Sequence, residues 1–121
     1  MNSDFTLATR SADSVQIVTI AGHVDAHTAP RLEETIGALL DEGAFHVVLD
    51  LADLTYISSA GLGVLTGTLG TFRDRGGDLK LARTPDKVFR VLDLLGFTRL
   101  LELFDTPEEA VAAFQTVPSR V

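Results

Sequence analysis

The chain has 121 residues, 45% of them hydrophobic, no Cys and a net charge of −7. That length and apolar content support one packed domain and are too small for two, so residues 1–121 are read as a single domain with its core at about 5–115 and a flexible tail at 116–121. The missing Cys excludes disulfides and thiolate metal sites. Ten scattered Lys and Arg against seventeen Asp and Glu make nucleic acid and anionic membrane poor partners.

The opening Met1–Phe5 carries neither a basic nor an apolar segment, and no apolar run reaches the about 20 residues of a membrane span. A cytoplasmic location is expected. Phe5–Arg10 alternates weakly, Ser11–Ser14 is a turn cluster, and Val15–Ala21 is β-branched. The two runs predict a hairpin, ended by Gly22. His23–His27 reads as a loop. Thr28 then caps a helix with Pro30 in its first turn and Leu32, Ile36, Leu39 and Leu40 on its apolar face.

His46–Asp50 holds three consecutive apolar residues, as expected of a parallel strand buried on both faces. Leu51–Tyr56 leads to the adjacent Ser58 and Ser59, which open the next helix. A hydroxyl there caps the helix, and a phosphate there is electrostatically favoured, so cap physics alone does not choose between the serines. Leu62, Leu65, Leu69 and Phe72 form the core stripe of that helix. Ser59, Gly63, Thr66, Gly67 and Gly70 lie on a different face. Each Gly weakens a helix by about 1 kcal/mol relative to Ala, so close approach by another surface is implied. That surface is either a neighbouring part of the domain or a partner.

Leu79–Ala82 is a strand, Thr84 and Pro85 open a helix with an apolar face of Val88, Val91, Leu92 and Leu95, and Gly96 ends it. Leu100–Phe104 is the last strand. Thr106 and Glu109 form a capping box for a final helix carrying Ala110, Val111 and Phe114. The order β-β-α-β-α-β-α-β-α predicts an α/β domain with a mixed, mainly parallel sheet and right-handed crossovers.

The residues offer the raw parts of three chemistries, none of them complete. A Ser hydrolase needs G-x-S-x-G, and no Gly stands two residues before Ser59. His23, Asp25 and His27 are spaced two apart, so in an extended segment all three point one way as metal ligands do, but no second ligand cluster accompanies them, and a polar loop before a helix explains the same residues. Gly61, Gly63 and Gly67 do not form a nucleotide-binding glycine loop, because they lie inside the helix. Asp25, Asp50 and Asp53 read as carboxylates that cap or stay solvated. No catalytic residue, metal or cofactor is expected.

The stretch Asp50–Leu65, with Tyr56-Ile-Ser-Ser-Ala-Gly-Leu-Gly63 at its centre, resembles the motif of the STAS domain, and more narrowly that of stand-alone bacterial anti-sigma factor antagonists. Gly22-His-Val-Asp25 with Thr28, Gly76-Gly77, Leu79–Leu81 and Leu94–Phe97 extend the resemblance over nearly the whole chain. The resemblance implies a binding module rather than an enzyme. The unphosphorylated form binds an anti-sigma factor, itself a serine kinase of histidine-kinase-like fold, and frees the sigma factor. Phosphorylation releases the complex, and a serine phosphatase resets it. Aligned on Gly61 and Gly63, the phosphorylated serine falls on Ser59, and the partner-contacting loop aspartate falls on Asp25. Ser58 stands where the family often has Asp, which makes it the second candidate. The implied partner surface comprises Asp25, Ser58, Ser59, Gly61, Gly63, Thr66 and Gly67. The alternative is a STAS subunit of a lipid-transport ABC system or of a stress-signalling complex, without a phospho-switch.

Overall fold

The structure, a computed structural model, describes residues 5–115; the tail expected at 116–121 lies outside them. Its elements are β1 (Thr6–Ala12), β2 (Val15–Val24), α1 (Ala29–Asp41), β3 (His46–Ile57), α2 (Ser59–Asp74), β4 (Asp78–Ala82), α3 (Asp86–Leu94), a 3-10 turn (Phe97–Arg99), β5 (Leu103–Phe104) and α4 (Pro107–Gln115). The five strands lie in the order β1-β2-β3-β4-β5. β1 and β2 are antiparallel, and the remaining pairs are parallel. This is the mixed, mainly parallel sheet that the alternating elements predict.

The β1–β2 turn is tighter than the polar cluster suggests. Asp13 and Ser14 both take positive φ, 50° and 70°, the backbone twist that suits a two-residue hairpin. Gly22 does not end β2. It adopts φ 93° between two register shifts, and pairing resumes with His23 opposite Tyr56 and Val24 opposite Ile57. Glycine supplies a bulge here, because positive φ bends the strand without removing its hydrogen-bonding groups.

The continuous apolar runs serve two faces. Val18, Ile20, Val47 and Leu49 share one core with Leu32 and Ile36 of α1, Leu65, Leu69 and Phe72 of α2, and Val88 and Leu92 of α3. Val15, Ile17, Val48 and Ala82 pack with Ala110 and Val111 of α4. Full burial of each large aliphatic or Phe side chain contributes about 1.5–3 kcal/mol.

Asp50 departs from the solvated reading. It is 2% exposed and takes a two-pronged ion pair from Arg83, with Nε at 3.0 Å and Nη2 at 2.6 Å. On the α4 face, Lys80 is also buried; it pairs with Asp78 and Glu102 and lies 4.6 Å from the Phe114 ring, on which His46 stacks.

Three other expectations change near the C-terminal half. Pro85 rather than Thr84 is the N-cap of α3, and the Thr84 hydroxyl is buried without a partner among the described residues. Only Val88 and Leu92 of the expected α3 face are buried; Val91 and Leu95 are exposed, because the short helix meets the sheet along one narrow line. The last strand shrinks to Leu103–Phe104, since Leu100 and Leu101 instead donate their amides to the Phe97 carbonyl in the 3-10 turn. At α4, the Thr106 hydroxyl accepts from the Glu109 amide at 3.1 Å, the forward half of the expected capping box.

Candidate functional site

The C-terminal ends of β2 and β3 lie side by side because the strands are parallel neighbours. Each hands the chain to a loop or helix at that edge, which is where α/β sheets assemble their sites. β3 ends at Ile57. Ser58 is extended, with φ −94° and ψ 178°, and is the N-cap of α2. Its amide donates to the Val24 carbonyl at 2.8 Å, and its own carbonyl accepts the first helical bond, from Leu62. Its hydroxyl accepts from the Gly61 amide at 3.5 Å, a long cap bond.

Ser59 differs from its neighbour. It is the first residue of α2, it is exposed, and its hydroxyl makes no hydrogen bond among the described residues. The two hydroxyls that cap physics alone does not rank therefore have different employment: one closes the helix end and the other faces solvent.

The small residues of α2 also separate. Gly63, Gly67 and Gly70 are exposed, and a Cβ at any of them would meet nothing within 4 Å. Close packing inside the domain therefore does not account for them. Thr66 lies exposed on the same face, with its hydroxyl returned to the Leu62 and Gly63 carbonyls. Gly61 belongs to the interior. It is buried, and a Cβ there would come within 2.7 Å of both Val24 Cγ1 and Ile57 Cγ1. Of the glycines expected on the partner surface, Gly61 thus serves the junction beneath that surface.

The β2–α1 loop is held from within. Asp25 Oδ1 accepts from the His27 amide at 2.9 Å and the Thr28 amide at 3.1 Å. Thr28 is buried; its hydroxyl donates to the His23 carbonyl at 2.7 Å and accepts from the Asp25 amide at 3.0 Å. Thr28 therefore does not cap α1 with its side chain as expected, because that hydroxyl is committed to the end of β2. Burial pushes the Asp25 carboxyl up, but the Thr28 and His27 amides, the Thr28 hydroxyl and the neighbouring His27 outweigh it and hold the carboxyl below its ordinary value.

His23 packs edge-on against Tyr56, with ring centroids 5.7 Å apart, on the exposed side of the same strand ends. The pairing of these two rings had no local signal, since it depends on the bulge register of β2. Among the described residues no three His, Asp or Glu groups are placed to hold a metal ion; Asp25 Oδ1 is taken up by the His27 and Thr28 amides of its own loop. A cleft of about 690 Å³ opens at the β5 edge beside Arg73, Phe89 and Leu100, and shares no residue with the serine corner.

The family model described as STAS domain matches residues 6–110. The chain belongs to the STAS domain family. Among STAS relatives, the anti-sigma-B factor antagonist of Listeria monocytogenes is 30% identical over 85% of this chain and 90% of its own length. The crystal structure of an anti-sigma factor antagonist from Mycobacterium paratuberculosis superimposes with a TM-score of 0.85 at 26% identity, covering 93% of this chain and 96% of that one. The Bacillus cell fate determinant SpoIIAA, solved in its phosphorylated form, has a TM-score of 0.70 at 19% identity over 90% of this chain and 97% of its own, a likeness of fold alone. The corner formed by Val24, Ser58 and Gly61 is thus built on the shared STAS sheet.

Proposed function

We propose that this chain is an anti-sigma factor antagonist whose docking face is switched by phosphorylation at Ser59. In its unphosphorylated form it binds a cytoplasmic anti-sigma factor, a serine kinase of histidine-kinase-like fold, and thereby releases the sigma factor. Phosphate transfer to Ser59 ends the interaction, and a serine phosphatase restores it. The docking face comprises Asp25, Ser58, Ser59, Gly63, Thr66 and Gly67, with Gly61 supporting it from beneath.

The observation that carries this reading is the exposure of Ser59 beside a glycine face with nothing above it, while Ser58 is occupied as a cap. The names of the relatives point the same way. A phosphate adds about −1.5 to −2 charges. At the N-terminus of a 16-residue helix that charge is tolerated by the fold. Against a docked surface it brings desolvation and repulsion, and a loss of about 3 kcal/mol lowers affinity more than a hundredfold.

The test is to incubate the protein with a cognate kinase-type anti-sigma factor and ATP. One phosphate is expected, absent from Ser59→Ala, and the phosphorylated protein leaves the complex. No incorporation, or incorporation on Ser58 alone, overturns the assignment. Capture of a membrane permease in place of an anti-sigma factor from the native cell overturns the function.

A further inference from the structure

We propose that the free edge of β5 is a strand-addition site. It takes an extended segment of a partner protein that carries an acidic residue at the Arg99 end and a basic residue at the Asp105 end. The site stands apart from the Ser59 face and does not depend on the function proposed above.

The backbone leaves one residue of β5 uncommitted. Among the described residues β5 is the last strand of the sheet, paired with β4 alone. Toward β4, the Glu102 carbonyl accepts from the Leu81 amide and the Phe104 carbonyl from the Arg83 amide, both at 3.0 Å. Backbone groups of successive strand residues alternate between its two sides, so the N–H and C=O of Leu103 point to the open edge. An unpaired edge is a template for another strand. β5 is only two residues long, so a segment added there needs side-chain contacts as well.

Two clefts supply them. The cleft of about 690 Å³ and a second of about 510 Å³, which Arg83, Thr84 and Asp105 help to line, share Phe89, Leu103 and Phe104. They therefore meet over β5. Phe89 and Leu100, both exposed, give the walls apolar surface. Strand addition divides its labour in this way: main-chain bonds hold the segment, and pockets sort its alternate side chains. The wall of the larger cleft is fixed in advance, because Arg73 donates Nη2 to the Leu100 carbonyl at 2.6 Å and pairs through Nε with Asp78 at 3.0 Å.

The charges select the occupant. Asp78 and Glu102 in the larger cleft are engaged by Arg73 and Lys80, and Arg83 in the smaller one is engaged by Asp50. Arg99 and Asp105 are exposed and make no ion pair among the described residues. Arg99 lines the larger cleft ahead of β5, and Asp105 lines the smaller one just after it. An uncommitted cation and an uncommitted anion thus stand at opposite ends of the same edge. A segment with the matching charges is drawn in and held in one register, and a segment with the charges reversed is repelled at both ends.

The probe is the end-blocked hexapeptide Lys-Val-Thr-Ile-Thr-Glu, whose charges match an antiparallel addition. It is titrated into the isotope-labelled full chain and followed by amide NMR shifts. Shifts are expected at Leu103 and Asp105, with a dissociation constant of about 1 mM or below. Methylating the central amides of the probe one at a time should weaken binding about tenfold at alternate positions and little at those between, because only every second residue turns its N–H to β5. Arg99→Gln and Asp105→Asn should each weaken binding about two- to fivefold, an effect that fades in high salt. Absence of a shift at Leu103 with the probe at several millimolar overturns the site. Equal affinity for all the methylated probes overturns strand addition, and parental affinity in both Arg99→Gln and Asp105→Asn overturns the choice by charge. A dimer of this chain in sedimentation that the probe dissociates puts a second copy on the edge and overturns the assignment to a partner.

Discussion

The Ser58 amide donates to the Val24 carbonyl at 2.8 Å, so the end of β2 and the start of α2 are held as one piece. Val24 carries the β2–α1 loop on one side, and Ser58 carries Ser59 on the other. The serine that faces solvent is therefore set by a contact between residues distant in sequence.

The two serines should respond differently to truncation. Ser58→Ala removes the N-cap oxygen and is expected to destabilise the fold by about 0.5–1 kcal/mol, at the low end of cap losses because the bond is long. Ser59→Ala should stay within about 0.5 kcal/mol of the parent, since its hydroxyl has no partner to lose among the described residues. Ser59→Asp adds negative charge at the helix N-terminus and should raise stability by about 0.3–1 kcal/mol while weakening the partner complex. Urea denaturation of the three variants checks the order.

Glycines two residues apart should move stability in opposite directions. Gly61→Ala forces a methyl against Val24 and Ile57, with an expected loss of about 1–3 kcal/mol. Gly63→Ala and Gly67→Ala meet open space in a helix interior and should each gain about 0.5–1 kcal/mol. If Gly63 and Gly67 face a partner, the same two substitutions weaken binding even as thermal stability rises. A gain in both properties would count against the docking face.

The Asp50–Arg83 pair should matter more than the Lys80–Glu102 pair. Arg83→Ala leaves a carboxylate that is 2% exposed without its two-pronged partner, an expected loss of about 1–3 kcal/mol. The bond to Asp50 also raises the affinity of Arg83 for its proton, so the pair persists through neutral and alkaline pH. Lys80→Met leaves Glu102, whose side chain is 59% exposed, free to hydrate, and should change stability by less than about 1 kcal/mol. Chemical denaturation at pH 7 and pH 9 separates the two.

Acid should weaken the loop through Asp25. Its carboxyl is held below the unfolded value of about 3.9, so the folded state binds fewer protons there. The stabilisation is full above that unfolded value and disappears as the pH falls through the lower folded value. As the pH falls below about 4 the parent should therefore lose more stability than Asp25→Asn, which has no proton to take up. Parallel acid dependence of the two proteins would exclude the effect.

Much of the architecture was legible locally. The 3-4-3 spacing of Leu62, Leu65, Leu69 and Phe72 marks a helix and its buried side without reference to any other element, and all four are buried. The β-branched run Val15–Ala21 announces a strand, and the consecutive apolar Val47–Leu49 announces one covered on both faces. The pair of serines before a glycine-rich helix was likewise visible as a feature.

Its working parts were decided by tertiary structure. Gly61 and Gly63 are chemically the same residue in the same helix, and only the parallel pairing of β2 with β3 brings Val24 and Ile57 over one of them. Thr28 and Thr84 both read as helix caps, yet neither caps with its side chain: Thr28 stands at the N-cap of α1 with its hydroxyl drawn to the carbonyl of His23, and Thr84 gives the N-cap of α3 to Pro85. Asp50 looked solvated until Arg83, 33 residues away, closed on it. Local propensity acts over a few residues and sets where elements form; hydrogen-bond partners and burial depend on contacts across the sheet, which no local pattern contains.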